Sequence, residues 1–208
     1  MENNPYNTTT FDLLRHGECE QGHCYRGSSD VALTNKGLRH MEMSLNKLKP
    51  VWHRVVCSPL LRCSLFAETI SAQYKLPLQQ DKRLQEMHFG RWEGQAVQTI
   101  WDTQQALVEA WGADPVNCPP PGGETADVFA ARVTASFLAL VDQYAGENIL
   151  LVSHGGVMRV LLAHCLSLSL SGLNRFNIPY ACVSRIQVIS TSHTGEKYYQ
   201  LLSHNLAE

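Results

Sequence analysis

The sequence predicts an α/β protein with a mostly parallel central sheet flanked by helices on both faces. Three observations carry that reading. Short apolar runs alternate with longer segments of helical period along the chain, the pattern of strands joined by helical crossovers. The runs are nearly continuous in apolar residues, as strands covered on both faces are. The three clearest runs end in Arg15-His16, in Ser58 shortly before Arg62, and in His154, so polar chemistry gathers beyond the carboxyl ends of strands, where open α/β sheets bind ligands.

Phe11 to Leu14 is the first of these strands. From Lys36 to Lys49, Leu38, Met41, Leu45 and Leu48 recur at helical spacing, with Thr34 as the cap and Pro50 as the stop. Val55 to Ser58 is a second strand, and Pro59 opens a helix running to about Tyr74, by the preference of proline for a first helical turn. Leu78 to Gln80 reads as a short strand and Arg83 to Gly94 as a loop. Val97 to Trp111 reads as a helix closing at Gly112, and Cys118 to Gly123, with its three prolines and two glycines, as a loop. Val128, Ala131, Ala135, Leu138 and Val141 mark a helix over Glu124 to Tyr144. Asn148 to Ser153 is a strand, Gly156 to about Leu166 a helix, and Val183 to Ser190 and Tyr198 to Leu202 are strands around a Thr191 to Lys197 turn.

At 208 residues the chain is long enough for one sizeable core, read as a single domain over residues 1–208. Its 44% hydrophobic and 17% charged residues exclude the disordered and fibrous classes. A net charge of −2 gives no bulk attraction to nucleic acid or anionic lipid, so neither is expected as a partner, and any anion must meet basic residues gathered locally. The polar Met1 to Thr10 stretch lacks the basic start and apolar core of a signal peptide, and no later run reaches the length of a membrane span, so a cytoplasmic protein is expected. The seven cysteines are scattered, never in a C-x-x-C pair, and read as reduced thiols.

The chemistry lies in a few residues. In Arg15-His16-Gly17-Glu18, an arginine fork suited to phosphate oxygens adjoins an imidazole that attacks phosphorus when neutral. Arg62 falls in the first turn of a helix, whose dipole also favours an anion, and His154-Gly155-Gly156 follows a strand and opens another helix. Two arginines and two histidines at strand ends would bind a phosphoryl dianion without a metal. No P-loop or carboxylate motif for Mg²⁺ is present, and the remaining histidines, His23 and His88 nearest the site among them, show no shared metal spacing. Glu86, set among apolar neighbours, is the candidate proton donor, with Glu18 and Glu93 as competitors.

These residues, in order, resemble the histidine phosphatase superfamily, the branch of phosphoglycerate mutases, fructose-2,6-bisphosphatases and α-ribazole phosphatases. The pieces are Leu14 to Glu18, Tyr25 to Gly37 with Asp30, Ser58 to Arg62, Glu86 with Phe89 to Gly94, Pro121 to Glu124, and Val152 to Gly156. The resemblance implies a phosphoglycerate mutase-like fold, with residues 87–125 as a cap or substrate-loop insertion, and a phosphatase needing no cofactor. It implies that His16 becomes phosphohistidine, that Arg15, Arg62 and His154 hold the phosphoryl group, and that Glu86 gives and recovers the proton. Gly27 and Gly155 join the substrate-binding set. The family's asparagine six residues after the nucleophile is here Gly22, and the small hydroxyl residue of its aromatic-x-Gly piece is Arg26, open to two readings, a solvated loop charge or a substrate contact. Cys63 and Phe66 replace the usual alanine and threonine.

Gln95 to Pro121 holds no lysine or arginine, which disfavours a second anionic group on the substrate and favours a small monophosphate ester. Within the family, the short length, the Cys182-x-Ser184-x-Ile186 strand and the Phe89 to Glu93 piece look most like α-ribazole-5′-phosphate phosphatases of cobalamin assembly. The alternatives are a broad-specificity acid phosphatase, a mutase-like enzyme, or a non-catalytic module that binds phosphorylated ligands, which loss of His16 or Glu86 would have signalled. Trp92, Trp101, Trp111 and Phe129 read either as an aromatic cap over a base or as plain core.

Overall fold

A computed structural model describes residues 6–48, 51–191 and 194–205. One six-stranded sheet runs in the order β3-β2-β4-β1-β5-β6, formed by β1 (Tyr6–Arg15), β2 (Arg54–Cys57), β3 (Leu78–Gln80), β4 (Asn148–Ser153), β5 (Val183–Thr191) and β6 (Lys197–His204). The pairings among β1 to β4 are parallel, while β5 runs antiparallel to β1 and β6 antiparallel to β5. The helices are α1 (Asn35–Asn46), α2 (Leu61–Tyr74), α3 (Val97–Ala113), α4 (Ala126–Gln143) and α5 (Gly155–Cys165). Among the described residues no helix is long and apolar enough to cross a membrane.

Successive side chains of a strand face opposite sides, so each buried strand feeds two cores. Phe11 and Leu13 of β1, Val56 of β2, and Ile149 and Leu151 of β4 pack with α4 and α5 through Phe129, Val133, Phe137, Val157 and Leu161. Leu14, Val55, Cys57, Leu150 and Val152 pack on the other side with Met41 and Leu45 of α1 and Phe66 and Ile70 of α2. The continuous apolar runs follow from this double burial. On α4 the buried stripe is Phe129, Val133, Phe137 and Leu140, joined at its end by Val141, and the expected stripe is rotated off it over most of its length: Val128 is 56% exposed, Ala131 and Ala135 also face solvent, and Leu138 is half-buried. Two overlapping stripes compete there, and the one with two phenylalanines buries more apolar area.

Other boundaries shift for local reasons. β1 begins at Tyr6, five residues before its apolar run, because Tyr6 to Thr10 pair with Thr191 to Gln187 of β5. Thr34 caps α1 as expected, its Oγ1 accepting from Gly37 N at 2.9 Å; Lys49 and Pro50, the expected end and stop, and His193 lie outside the described residues. α2 starts at Leu61, two residues after Pro59, and its first N–H donates to Asp30 Oδ1 at 2.7 Å. α3 is kinked at Gln104 (φ −139°) and runs past Gly112 to Ala113. The expected loop from Arg83 to Gly94 contains 3₁₀ turns at Lys82–Leu84 and Gly90–Trp92. All seven cysteines are free thiols.

Two close approaches fix the loop after β1. A Cβ added to Gly17 would lie 2.2 Å from Gly37 O, and one added to Gly37 would lie 2.1 Å from Glu18 O. The start of α1 is therefore pressed backbone to backbone against the segment that carries His16.

Candidate active site

Register brings the site together. Arg15 lies opposite Ser153 in the β1–β4 ladder and Cys57 opposite Val152 in the β2–β4 ladder. His16, His154 and Ser58 therefore leave three neighbouring strands at one edge, and the rings of His16 and His154 sit edge to face at 5.3 Å. A cleft of about 270 Å³ opens there, with Arg15, His16, Arg26, Glu86, Gly155 and Tyr180 among its walls.

The tautomer of His16 follows from its contacts. Nδ1 lies 2.8 Å from Gly17 O, which can only accept, so Nδ1 carries the proton and Nε2 keeps its lone pair. Burial, and then the charges of Arg15 and Arg62, hold its pKa well below the ordinary histidine value. The imidazole is neutral near pH 7, the form a nucleophile requires.

Arg15 donates from Nη1 to Ile178 O at 2.5 Å and lies over the Tyr180 ring at 4.3 Å. Its Nε is buried without a hydrogen-bond partner, and a Cβ on Gly155, a wall of the cleft, would come 3.2 Å from it. An unfilled buried donor of this kind is costly unless a ligand oxygen completes it.

Arg62 is fully buried and already committed. It donates from Nε to His154 Nδ1 at 3.2 Å, from Nη1 to Ser29 O at 2.7 Å and from Nη2 to Gly27 O at 2.8 Å. With Nδ1 accepting, the proton of neutral His154 sits on Nε2, 2.8 Å from Ser58 Oγ. Burial and the Arg62 charge keep the His154 pKa well below its usual value. Arg62 thus ties the 26–29 loop to His154.

Glu86 enters from the segment after β3. Its Oε2 accepts from Gly156 N at 3.0 Å and its Oε1 from Met87 N at 3.1 Å. The carboxyl can hold this position only beside a glycine, since a Cβ on Gly156 would stand 2.2 Å from Glu86 Oε1 and push it aside. The backbone under Glu86 is held by Arg132 of α4, which donates to the carbonyls of Arg83, Gln85 and Glu86 and pairs in a fork with Glu124 at 2.7 and 2.8 Å. Sequence reasoning missed Arg132, whose signal is distributed over contacts 8 to 49 residues away.

The competitors are occupied elsewhere. Glu18 accepts from Thr34 Oγ1 and faces Lys36. Glu93 accepts from the Gly27, Ser28 and Phe89 N–H groups and from Ser29 Oγ at 2.7 Å. Burial alone pushes the Glu93 pKa up, but these bonds outweigh it and leave the value lowered. Glu93 therefore anchors the loop that Arg62 grips.

Arg26 is 7% exposed, so it is no solvated charge. It donates from Nη2 to Glu20 O at 2.7 Å and to Gly22 O at 3.0 Å while lining the cleft. Gly27 packs against Met87 O, 1.9 Å from any added Cβ, and is not among the cleft walls, whereas Gly155 is. His23 reaches the cleft; His88 is turned to Gly90 N. The tryptophans divide: Trp92 is fully buried core, Trp101 is 42% exposed, and Trp111 with Phe129 lines a smaller apolar chamber beside the cleft. Two further cleft residues, Tyr180 and Arg159, had no sequence signal because the loop before β5 and the middle of α5 meet the site only in three dimensions. Among the described residues no cluster of three or more His, Cys, Asp or Glu side chains is arranged to hold a metal ion.

The family model described as histidine phosphatase superfamily (branch 1) matches residues 11–200. The chain is 31% identical over 180 residues to an adenosylcobalamin/alpha-ribazole phosphatase of Salmonella typhimurium, covering 85% of this chain and 89% of that protein. It is 29% identical to the protein of the same description from Escherichia coli, over 85% and 88% of the two chains. The solved structure of the alpha-ribazole phosphatase from Shigella flexneri superposes with a TM-score of 0.79 at 27% identity, covering 95% of this chain and 96% of that one.

Proposed function

The chain belongs to the histidine phosphatase superfamily and is a phosphatase, and from that premise we propose that it hydrolyses a small phosphomonoester in two steps through phosphohistidine at His16. The observation that carries the proposal is the His16 ring, neutral and with Nε2 free, beside the unfilled Nε of Arg15.

The phosphoryl group takes its oxygens to Arg15 and to the N-terminal end of α5 at Gly155, with Arg26 reaching the same cleft from the loop; His154, buried behind these walls with its Nε2–H on Ser58 Oγ, joins them by turning that hydrogen to the bound group. Arg62 contributes charge and holds His154 in register. His16 Nε2 attacks phosphorus as the ester oxygen leaves, and Glu86 supplies the proton that the leaving alcohol needs. Water then attacks phosphohistidine, gives its proton to Glu86, and inorganic phosphate departs. The positive charge required by the transferring group comes from side chains, so neither metal nor cofactor is needed. Residues 87–125 form the cap: Phe89 and Val97 reach the cleft, and Trp111 and Pro115 the neighbouring chamber.

The substrate we assign is α-ribazole 5′-phosphate. The similarity to phosphatases of that description supports it, as does the aromatic chamber beside the cleft. Phosphate release from a panel of monoesters in EDTA tests both levels. His16→Ala should abolish release, and ³²P from labelled substrate should be trapped on His16 at short times. A sharp preference for α-ribazole 5′-phosphate supports the substrate; flat rates across the panel retain the mechanism and remove the substrate; release that survives His16→Ala removes the mechanism.

A further inference from the structure

α5 carries a cation that the steps above do not use. Arg159 donates from Nε to Phe176 O at 3.3 Å, and among the described residues its Nη1 and Nη2 make no hydrogen bond or ion pair. Burial pushes its pKa down and the charge of Glu86 partly restores it, yet no salt bridge joins the two. The side chain stands beside Gly155, where an added Cβ would be 3.4 Å from Arg159 Nη1. A second donor nearby is also unfilled, since Trp111 Nε1 is buried without a partner.

Arg159 and Trp111 both border the apolar chamber, together with Phe89, Phe129 and Glu86. Glu86, Phe89 and Arg159 line the phosphoryl cleft as well, so they mark the boundary between the two spaces. With the phosphoryl group at His16 and Glu86 at the leaving oxygen, the alcohol half of the ester falls on the chamber side. A half-buried guanidinium fork at that boundary is matched by two oxygen atoms a short distance apart.

We infer that Arg159 is the specificity-determining residue for the leaving group, its free fork binding a pair of neighbouring oxygens, a cis-diol or a carboxylate, while Phe89 and Phe129 take the apolar remainder and Trp111 Nε1 assists. The inference rests on the phosphomonoesterase reading and adds the recognition of the alcohol. Gln95 to Pro121 holds no basic residue, and the cation comes from α5 instead.

Wild type and Arg159→Met are compared by kcat/KM on phenyl phosphate, which has no such oxygen pair, and on two matched pairs. Adenosine monophosphate against its dideoxy analogue reads the diol; phosphoserine against phosphoethanolamine reads the carboxylate. The wild type should favour the oxygen-bearing member of one pair by about 10- to 100-fold, the range of a charge-assisted hydrogen bond. Arg159→Met should erase that ratio while lowering kcat/KM on phenyl phosphate less than on the favoured member of the pair, and Trp111→Phe should lower the ratio partway. Collapse of the diol ratio supports the inference together with α-ribazole; collapse of the carboxylate ratio supports it and removes α-ribazole. Absence of both preferences in the wild type, ratios that survive Arg159→Met, or an equal loss on phenyl phosphate overturns it. His16→Ala on phenyl phosphate decides the phosphohistidine reading separately.

Discussion

Replacing Arg132 with methionine keeps the aliphatic stem and removes five donated hydrogen bonds, two to Glu124 and one each to the carbonyls of Arg83, Gln85 and Glu86. The pair is mostly shielded, with side-chain exposures of 25% for Arg132 and 14% for Glu124. Removing one partner of a buried pair costs about 3–5 kcal/mol because the other charge is left uncompensated. The residual exposure places Arg132→Met at the lower end, about 3 kcal/mol. In a chain of this size that lowers Tm by about 6–12 °C. Glu86 keeps its bond to Gly156 N at 3.0 Å, so its carboxyl loses precision rather than its place. The expected fall in kcat is about 10- to 100-fold, with KM changed less. Adding Glu124→Gln removes the stranded charge, so the double variant should recover about 1–3 kcal/mol relative to the sum of the singles. Thermal unfolding and steady-state kinetics on the four proteins decide the matter. A Tm within about 2 °C of wild type, or strict additivity, would refute the claim that Arg132 clamps the Glu86 segment through Glu124.

Three more expectations follow from the site and the core. Gly156→Ala places a methyl 2.2 Å from Glu86 Oε1 and should lower kcat by about 100-fold while phosphate still inhibits competitively; wild-type kcat would show that Glu86 does not need this approach. His16 and His154 have folded-state pKa values pushed below the ordinary 6.5, chiefly by burial. The unfolded chain therefore binds more protons as pH falls, so stability is full above about 6.5 and is lost progressively below it. Tm measured from pH 8 to 5 should be flat and then decline, and kcat/KM should keep its nucleophile at pH 6; an acid limb of kcat/KM centred on the ordinary histidine value of about 6.5 would contradict the buried ring. Phe137→Ala, at a fully buried position in contact with Phe11 at 4.9 Å between ring centroids, should cost about 3–5 kcal/mol by urea unfolding with little change in KM, and a loss under 1 kcal/mol would mean the α4 face is not packed as described.

The sheet was legible wherever double burial forces continuous apolar runs, as in Phe11 to Leu14 and Asn148 to Ser153. It was illegible at Thr8 to Thr10, where β-branched polar residues extend β1 against β5 without an apolar signal. The start of α2 misled for a related reason: Pro59 suggested a first turn, but the carboxylate of Asp30, 31 residues away, receives the first free N–H at Leu61. The residues at strand ends were found because they follow the runs directly. Arg132, Arg159 and Tyr180 were not, since each owes its place to partners distant in sequence. Arg26 was the position left open between two readings, and burial together with Gly22 O as a hydrogen-bond partner is what removes it from the solvated class.

The contact between Gly17 and Gly37 limits how this protein can diversify. At 2.2 Å and 2.1 Å the obstacles to a Cβ are backbone carbonyl oxygens, which no rotamer can move aside. Drift at either position displaces the His16 loop and the start of α1 together, so a lineage cannot adjust the reacting end of the site by small steps. The chamber is bounded mainly by side chains such as Phe89, Trp111, Phe129 and Arg159, whose replacement leaves the backbone in place. New substrate ranges would therefore arise on that side while the chemistry at His16 stays fixed, and related chains with different substrates should vary there first.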